Sequence, residues 1–402
     1  MQNYTYKARD NYGKIVRGMM MADDELDLAN KLNNLGYFLV QNKIISDEKF
    51  KAGRKHGRMR SRELLNFTIQ LVTLLDAGVP LVAVLRDLAR DEPKESLQKI
   101  IDDVRYNVES GLSLKDALSA QPRSFPKLYI AIVGAGETTG KLSLCLNDLA
   151  GFLDWQMELA AKAKEAATYP LILFCVMLGV VALLVLKMIP TFEPIFKELG
   201  ADLPAPTQMI LDASHFLRKA WYIILGAVIL LAAGYKLYNS TPRGRYKLDS
   251  IKLKLPLVGG LLRKISLSRF CHTFSLTLRS GTNLLTALDL ASDVVGNTRI
   301  QQSIIKARDS VNIGEKLATS FQVSGEFPPM VIRMVNVGEQ SGTLSQTIDK
   351  VNHFYDREVP ATIRKLFALF EPAMIVFMAV VVGGIAIAIF LPLFKMAEVI
   401  GG

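Results

Sequence analysis

At 402 residues the chain exceeds the usual size of one domain, so length implies two or three domains with real cores. Half of it is hydrophobic (50%), and the apolar residues gather in uncharged runs too long for ordinary buried helices, which argues against a wholly soluble protein and for a membrane. The formal net charge of +10 is then read by location: in a membrane protein a basic excess marks cytoplasmic loops, and no nucleic acid is expected.

The first residues, Met1 to Lys7, lack the apolar core and cleavage site of a signal peptide, so the N-terminus is expected in the cytoplasm. Tyr4 to Ala8 and Ile15 to Met20 flank a hairpin-like turn, Asp10-Asn11-Tyr12-Gly13, and Asp23 to Leu35 has the look of a short helix. Residues 1–50 are therefore expected to form a small α+β module. A basic run follows in 51–62, with Lys51, Arg54, Lys55, Arg58, Arg60 and Arg62. It is either a solvated linker or a contact with acidic lipid or a partner.

From 63 to 168 apolar residues recur at three- and four-residue spacing, as in Leu64, Phe67, Leu71, Leu74, Leu75 and Leu81, Val84, Leu85, Leu88. Breakers at Gly78-Val79-Pro80, Glu92-Pro93, Ser110-Gly111, Gln121-Pro122 and Gly136 to Gly140 divide this segment into about six amphipathic helices, a cytoplasmic bundle. Three apolar stretches then fit a bilayer core of about 30 Å, which takes roughly 20 helical residues. They are 171–189, 221–238 and 373–394. Between Arg243 and Arg269 eight Lys/Arg face one acid, Asp249, which places 239–370, a second helical domain, in the cytoplasm. The loop 190–218 holds Lys197 and Arg218 against Glu193, Glu198, Asp202 and Asp212, so it is expected outside, in the periplasm with the C-terminus.

The soluble segments repeat internally. Asn66-Phe67 through Ala77-Gly78-Val79-Pro80-Leu81 matches Arg269-Phe270 through Ser280-Gly281-Thr282-Asn283-Leu284, an offset of 203 from 66 to 269. Phe125-Pro126 and the block Gly136-Glu137-Thr138-Thr139-Gly140-Lys141-Leu142 match Phe327-Pro328 and Gly338-Glu339-Gln340-Ser341-Gly342-Thr343-Leu344, an offset of 202 from 125 to 327. The register continues into the apolar stretches, because Pro170 and Pro190 match Pro372 and Pro392. The repeated unit is thus a soluble domain plus the span after it.

The block from Ala135 to Leu142 nearly mimics the phosphate loop G-x-x-x-x-G-K-[ST], but it begins with Ala135 and ends with Leu142, offers no hydroxyl for magnesium and follows no strand. Two readings stay open. In one, Gly136 and Gly338 permit close approach or helix termination and the Thr/Ser begin the next helix. In the other, Glu137 and Glu339 are exposed acids at equivalent corners of two domains, suited to a basic partner. His56, His215, His272 and His353 fall in different segments without a nucleophile and orienting acid, and Cys145, Cys175 and Cys271 are far apart with no CxxC pair. No catalytic, metal or cofactor site is expected. Glu371, beside Pro372 at the start of the third stretch, is either an interfacial carboxylate or a contact for a transmembrane partner.

Together these residues resemble the type II secretion protein F and type IV pilus protein C (GspF/PilC) family of inner-membrane platform proteins, across essentially the whole chain. Similar proteins carry the duplicated A-G-V-P-L and F-P...G-E-x-S-G-x-L blocks, a segment like Pro190-Thr191-Phe192-Glu193-Pro194...Leu203-Pro204, a Leu255-Pro256-Leu257-Val258-Gly259 stretch before the second copy and a closing Pro392-Leu393-Phe394. The chain departs at Thr139, where serine is usual, and at Thr282-Asn283, in place of Val-Pro. The resemblance implies a non-enzymatic, homo-oligomeric platform in the inner membrane that couples a hexameric cytoplasmic ATPase to pilin or pseudopilin subunits, alongside other inner-membrane assembly proteins and membrane lipid. Some relatives bind divalent cations near the Gly-Glu block; Lys141 and Thr343 follow it here, and no metal is expected. A secondary transporter would need polar, broken spans around a midplane site. A membrane receptor or signalling scaffold would fit the topology but leaves the duplicated unit and its register unexplained.

Overall fold

A computed structural model describes residues 2–9, 15–34, 37–45, 57–188, 191, 194 and 205–401. The chain begins with alternating Tyr4, Tyr6 and Ala8, which bury one face of a strand, β1 (Gln2–Arg9). β1 pairs antiparallel with β2 (Ile15–Ala22) on one side and β3 (Phe38–Ile45) on the other, giving the order β2-β1-β3. Leu28 and Leu32 of helix α1 (Glu25–Asn34) close this small core. The expected α+β module is present with one strand more than its sequence suggested. β3 escaped notice because its register is interrupted opposite Lys7/Ala8 and because Phe38, Val40 and Ile44 are exposed, so the alternation of a half-buried strand is lost.

Four helices follow, α2 (Ser61–Asp76), α3 (Leu81–Asp91), α4 (Glu95–Glu109) and α5 (Leu114–Ser119). Their apolar stripes are inward as the spacing predicted, with Leu64, Phe67 and Leu71 buried on α2 and Val84, Leu85 and Leu88 on α3. By compactness the chain divides into Met1–Pro126 and Lys127–Gly402, a cut that passes through the expected first helical domain, 63–168.

The second unit opens with α6 (Lys127–Thr139) and α7 (Leu142–Leu183), which runs on as a π-turn over Leu184–Met188. Then come α8 (Ala205–Ser240), α9 (Pro242–Lys254), α10 (Val258–Arg279), α11 (Leu284–Val294), α12 (Thr298–Asn312), α13 (Leu317–Ser324), α14 (Pro329–Ser341), α15 (Leu344–Ala368) and α16 (Phe370–Gly401). The repeat is visible in the elements themselves. α3 and α11 begin and end 203 residues apart, as do α4 and α12, whereas α6 and α14 are 202 apart.

The second copy is a closed bundle in which α10 packs on α15 and each helix from α11 to α14 packs on its neighbour. Phe270, Phe274, Phe321 and Phe327 fill its centre, with Phe321 and Phe327 stacked at 4.0 Å and Phe270 edge-on to both. Each such ring contributes roughly 1.5–3 kcal/mol by leaving water.

Two stretches, Leu142–Met188 and Leu344–Ala388, are long and apolar enough to cross a membrane among the described residues. Their most apolar windows are 6% and 0% buried, unlike the core helices of a soluble protein. The sequence suggested three. The remaining one, 221–238, lies in α8, where several side chains fall outside the described residues, so the described count is two. A second correction concerns 190–218: this segment is helical from Ala205, not a loop. Leu211 packs with Ile385 of α16 and with Leu184 and Val185 of the π-turn, and the Ser214 hydroxyl donates to the Val185 carbonyl at 2.8 Å.

Candidate functional site

The Gly-Glu block is a helix–helix corner in both copies. A methyl at Gly136 would lie 2.9 Å from Cys145 Cβ and 3.0 Å from Leu142 Cα, and one at Gly338 would collide with Thr347 Oγ1 and with Leu344 Cα at 2.8 Å. Only a glycine lets α6 approach α7, or α14 approach α15, this closely. Gly140 and Gly342 then take φ +69, the left-handed cap that ends a helix. The next amide turns back: Lys141 N donates to the Gly136 carbonyl at 2.8 Å and Thr343 N to that of Gly338 at 3.0 Å. The amide of Lys141 is therefore spent on the chain's own turn, where a phosphate loop would present it to a ligand. Gly78 and Gly281 serve the first corner of each copy, at φ +81 and +89. Pro328 is the extended residue before α14, and Pro126 precedes α6.

The acids of the two corners are not the exposed pair that the sequence suggested. Glu137 and Glu339 are both half-buried. The Glu339 carboxylate accepts the backbone amides of Leu317 at 2.9 Å and Ala318 at 3.2 Å, the first two of α13. It is a cap supplied from another helix, and the partial positive charge of the helix start favours it there.

The basic run divides. Lys51, Arg54 and Lys55 lie outside the described residues, as does Pro190. Arg58 and Arg60 are exposed, and the Arg60 amide donates to Glu63 at 2.8 Å to start α2. Glu371 is exposed in the first turn of α16, Pro372 follows it, and Pro392 lies further along the same helix. Pro170 lies inside α7, which continues through it, whereas the second copy breaks at Leu369 between α15 and α16.

Side chains that the sequence did not bring together meet where α7 crosses α10 and α15. The Trp155 indole N–H donates to Asp356 Oδ1 at 2.8 Å, His272 Nε2 lies 3.0 Å from the same oxygen, and the Trp155 and His272 rings stack at 3.8 Å. Arg279 reaches Asp148 at 3.1 Å and Asp349 at 3.7 Å. These contacts tie the last helix of the first copy to the second copy. Asp249, the one acid of the basic stretch, is also a structural tie. It is buried, and it accepts Thr298 N at 3.0 Å, Thr298 Oγ1 at 2.9 Å and Lys252 Nζ at 3.1 Å. Burial pushes its carboxyl up, but these donors outweigh that and hold it below the ordinary range. Cys271 is buried, which pushes its thiol up and leaves it inert. Among the described residues no group of three or more His, Cys, Asp or Glu is placed to hold a metal.

The repeated stretch, a run of helices followed by an apolar helix, matches a family described as type II secretion system (T2SS), protein F, at residues 67–190 and again at 270–392. The chain belongs to the type II secretion system protein F family. Residues 1–43 match the N-terminal domain of that protein F, which corresponds to the small α+β module. The type IV pilus assembly protein PilC of Thermus thermophilus is 37% identical over 98% of this chain and 98% of its own length. PilC of Myxococcus xanthus is 35% identical over 99% of this chain and 95% of its own. The type II secretion system protein F of Pseudomonas aeruginosa is 31% identical over the full length of both. Both protein F matches begin at the phenylalanine of the first bundle helix, Phe67 or Phe270, and end in or beside the following apolar helix. The family unit is thus the repeat that the sequence displayed.

Proposed function

We propose that this chain is an inner-membrane platform of a type IV pilus or type II secretion machine, without enzymatic activity of its own. It couples a hexameric cytoplasmic ATPase to the extraction of pilin or pseudopilin subunits and their assembly into a filament. The observation that carries this is the duplicated unit, in which each helical bundle leads into an apolar helix whose most apolar window is almost wholly unburied. The names of the relatives, pilus assembly and type II secretion, agree with it. In this proposal spans at 171–189, 221–238 and 373–394 leave the N-terminus and 239–370 in the cytoplasm, and the segment after Pro190 and the C-terminus in the periplasm. Several copies assemble with other inner-membrane components among membrane lipid. The ATPase engages the basic run (Lys51, Arg54, Lys55, Arg58, Arg60) and the corner at Glu137.

The test is co-purification. The full chain, solubilised from the membrane, should bring down the machine's ATPase and pilins, and charge reversal of the basic run should release the ATPase while membrane insertion persists. Recovery of neither partner, with the chain intact in the membrane, would leave a receptor or scaffold as the better account. Topology is checked by thiol labelling in a cysteine-free background: a probe at position 250 that reacts from outside intact spheroplasts would refute the orientation.

A further inference from the structure

Where α7, α15 and α16 converge lies a notch of about 460 Å3, within the roughly 300–1,000 Å3 of small-ligand sites and too small for a helix of roughly 10–12 Å diameter. Its lining changes character along the chain. Lys162 and Glu165 precede Pro170 on α7, and Arg364 precedes the break at Leu369; beyond these points the lining includes Leu173, Phe370 and Met374, with Glu371 at the transition. Two cations and two carboxylates therefore share one small space whose far side is apolar. Among the described residues Arg364, Glu165 and Glu371 have no ion-pair partner, and Lys162 is held by Glu158 at 2.6 Å. Pro170 adds one more polar group. It has no amide hydrogen, so the carbonyl of Ala166, which also lines the notch, lacks its donor one turn on.

We propose that this notch holds one glycerophospholipid with a zwitterionic, hydrogen-bond-donating headgroup, phosphatidylethanolamine. The phosphate lies against Arg364 and Lys162, the ammonium against Glu165, Glu371 and the Ala166 carbonyl, and an acyl chain runs along Leu173 and Met374. The choice follows from charge and donors. An anionic lipid without an ammonium leaves two carboxylates unanswered, and a trimethylammonium headgroup has no N–H for the carboxylates or the carbonyl. The site rests on the proposal that α7 and α16 cross the membrane, because that places the apolar half of the notch at the level of lipid chains.

The full chain, purified in detergent and stripped of lipid, is titrated by native mass spectrometry with phosphatidylethanolamine, phosphatidylglycerol and phosphatidylcholine. One tightly retained phosphatidylethanolamine is expected. Arg364→Gln, and separately Glu165→Gln with Glu371→Gln, should lower its retention at least about tenfold, the ratio for losing a charge-assisted hydrogen bond. All three sites are exposed, and unchanged circular dichroism serves as the folding control. Equal retention of the three lipids, or retention unaffected by the substitutions, overturns the lipid site while leaving the platform proposal intact. A second copy seated on the notch, seen as a cross-link from position 364 between chains with no lipid retained, also overturns it. Release of the chain from membranes by alkaline carbonate without detergent would instead remove the membrane proposal, and the lipid site with it.

Discussion

Removing the Glu339 carboxylate should loosen α13 and the second bundle with it. Its two oxygens accept the amides of Leu317 and Ala318, and α13 spans Leu317–Ser324, so one side chain satisfies two of the amides that a short helix leaves open at its start. Losing a cap costs about 0.5–2 kcal/mol, and losing a negative charge at a helix start a further ~0.3–1 kcal/mol. Glu339→Ala is therefore expected to cost about 1–3 kcal/mol, Glu339→Gln about half as much because one oxygen remains an acceptor, and Glu339→Lys the most. Hydrogen exchange on the purified full chain reads this locally: protection across Phe321 and its α13 neighbours should fall by roughly 5- to 150-fold in Glu339→Ala. Exchange within about twofold of the parent would refute the cap. The corner acids also differ in what they can test. Charge reversal at Glu339 damages the bundle itself, so a loss of filament assembly in that variant would say nothing about a partner.

Gly338→Ala should destabilise more than Gly136→Ala, about 1–3 kcal/mol against less, because the first methyl meets a hydroxyl and backbone at shorter range; thermal unfolding in detergent with equal losses would contradict the close-approach argument. Leu257 sits at φ +66 and ψ −54 in a γ-turn closed by Val258 N to the Pro256 carbonyl at 2.8 Å, with its side chain 64% exposed. Leu257→Gly should therefore keep or raise the stability, by up to ~1 kcal/mol, and with it the melting temperature, while the β-branched Leu257→Val lowers both. Asp249 binds its proton less tightly folded than unfolded, so its stabilisation is present above the ordinary carboxylate range and is lost as pH falls through the depressed native value. The parent's melting temperature should thus fall faster than that of Asp249→Asn as pH drops below about 4, and parallel curves would show that the carboxylate contributes nothing.

The parts of this fold legible in the sequence were those with a period or a repeat. Leu64, Phe67 and Leu71 gave their helix by spacing, and the shared Gly-Glu corner gave the duplication before any coordinate. What escaped depends on contacts between distant positions. Nothing local distinguishes a Glu339 facing solvent from one bent onto α13, and Trp155, His272 and Asp356 come from three helices whose crossing no window of sequence displays. Asp249 counts in the charge balance behind the expected orientation, whereas the fold spends it on Thr298, 49 residues away. The start of α8 is hidden for a related reason: Leu211 and Ser214 look like parts of a polar loop until α16 and the π-turn are beside them.

The two copies deliver their bundles to the apolar helices differently. α7 is continuous for 42 residues, about 63 Å at 1.5 Å per residue, and passes through Pro170 without a break. In the second copy the helix stops at Ala368 and restarts at Phe370, where Pro372 falls in the first turn and its missing amide costs little. The first arm thus carries its proline inside one continuous helix, and the second has an interior proline, Pro360, and a break at Leu369. Before either reaches its apolar stretch, the Trp155–Asp356 bond and the Trp155–His272 stack fasten α7 to α15 and α10. The two arms are joined at that tie, and the notch between Pro170 and Glu371 lies beyond it. The duplicated unit thus has one arm that is continuous into its apolar helix and one that breaks before it.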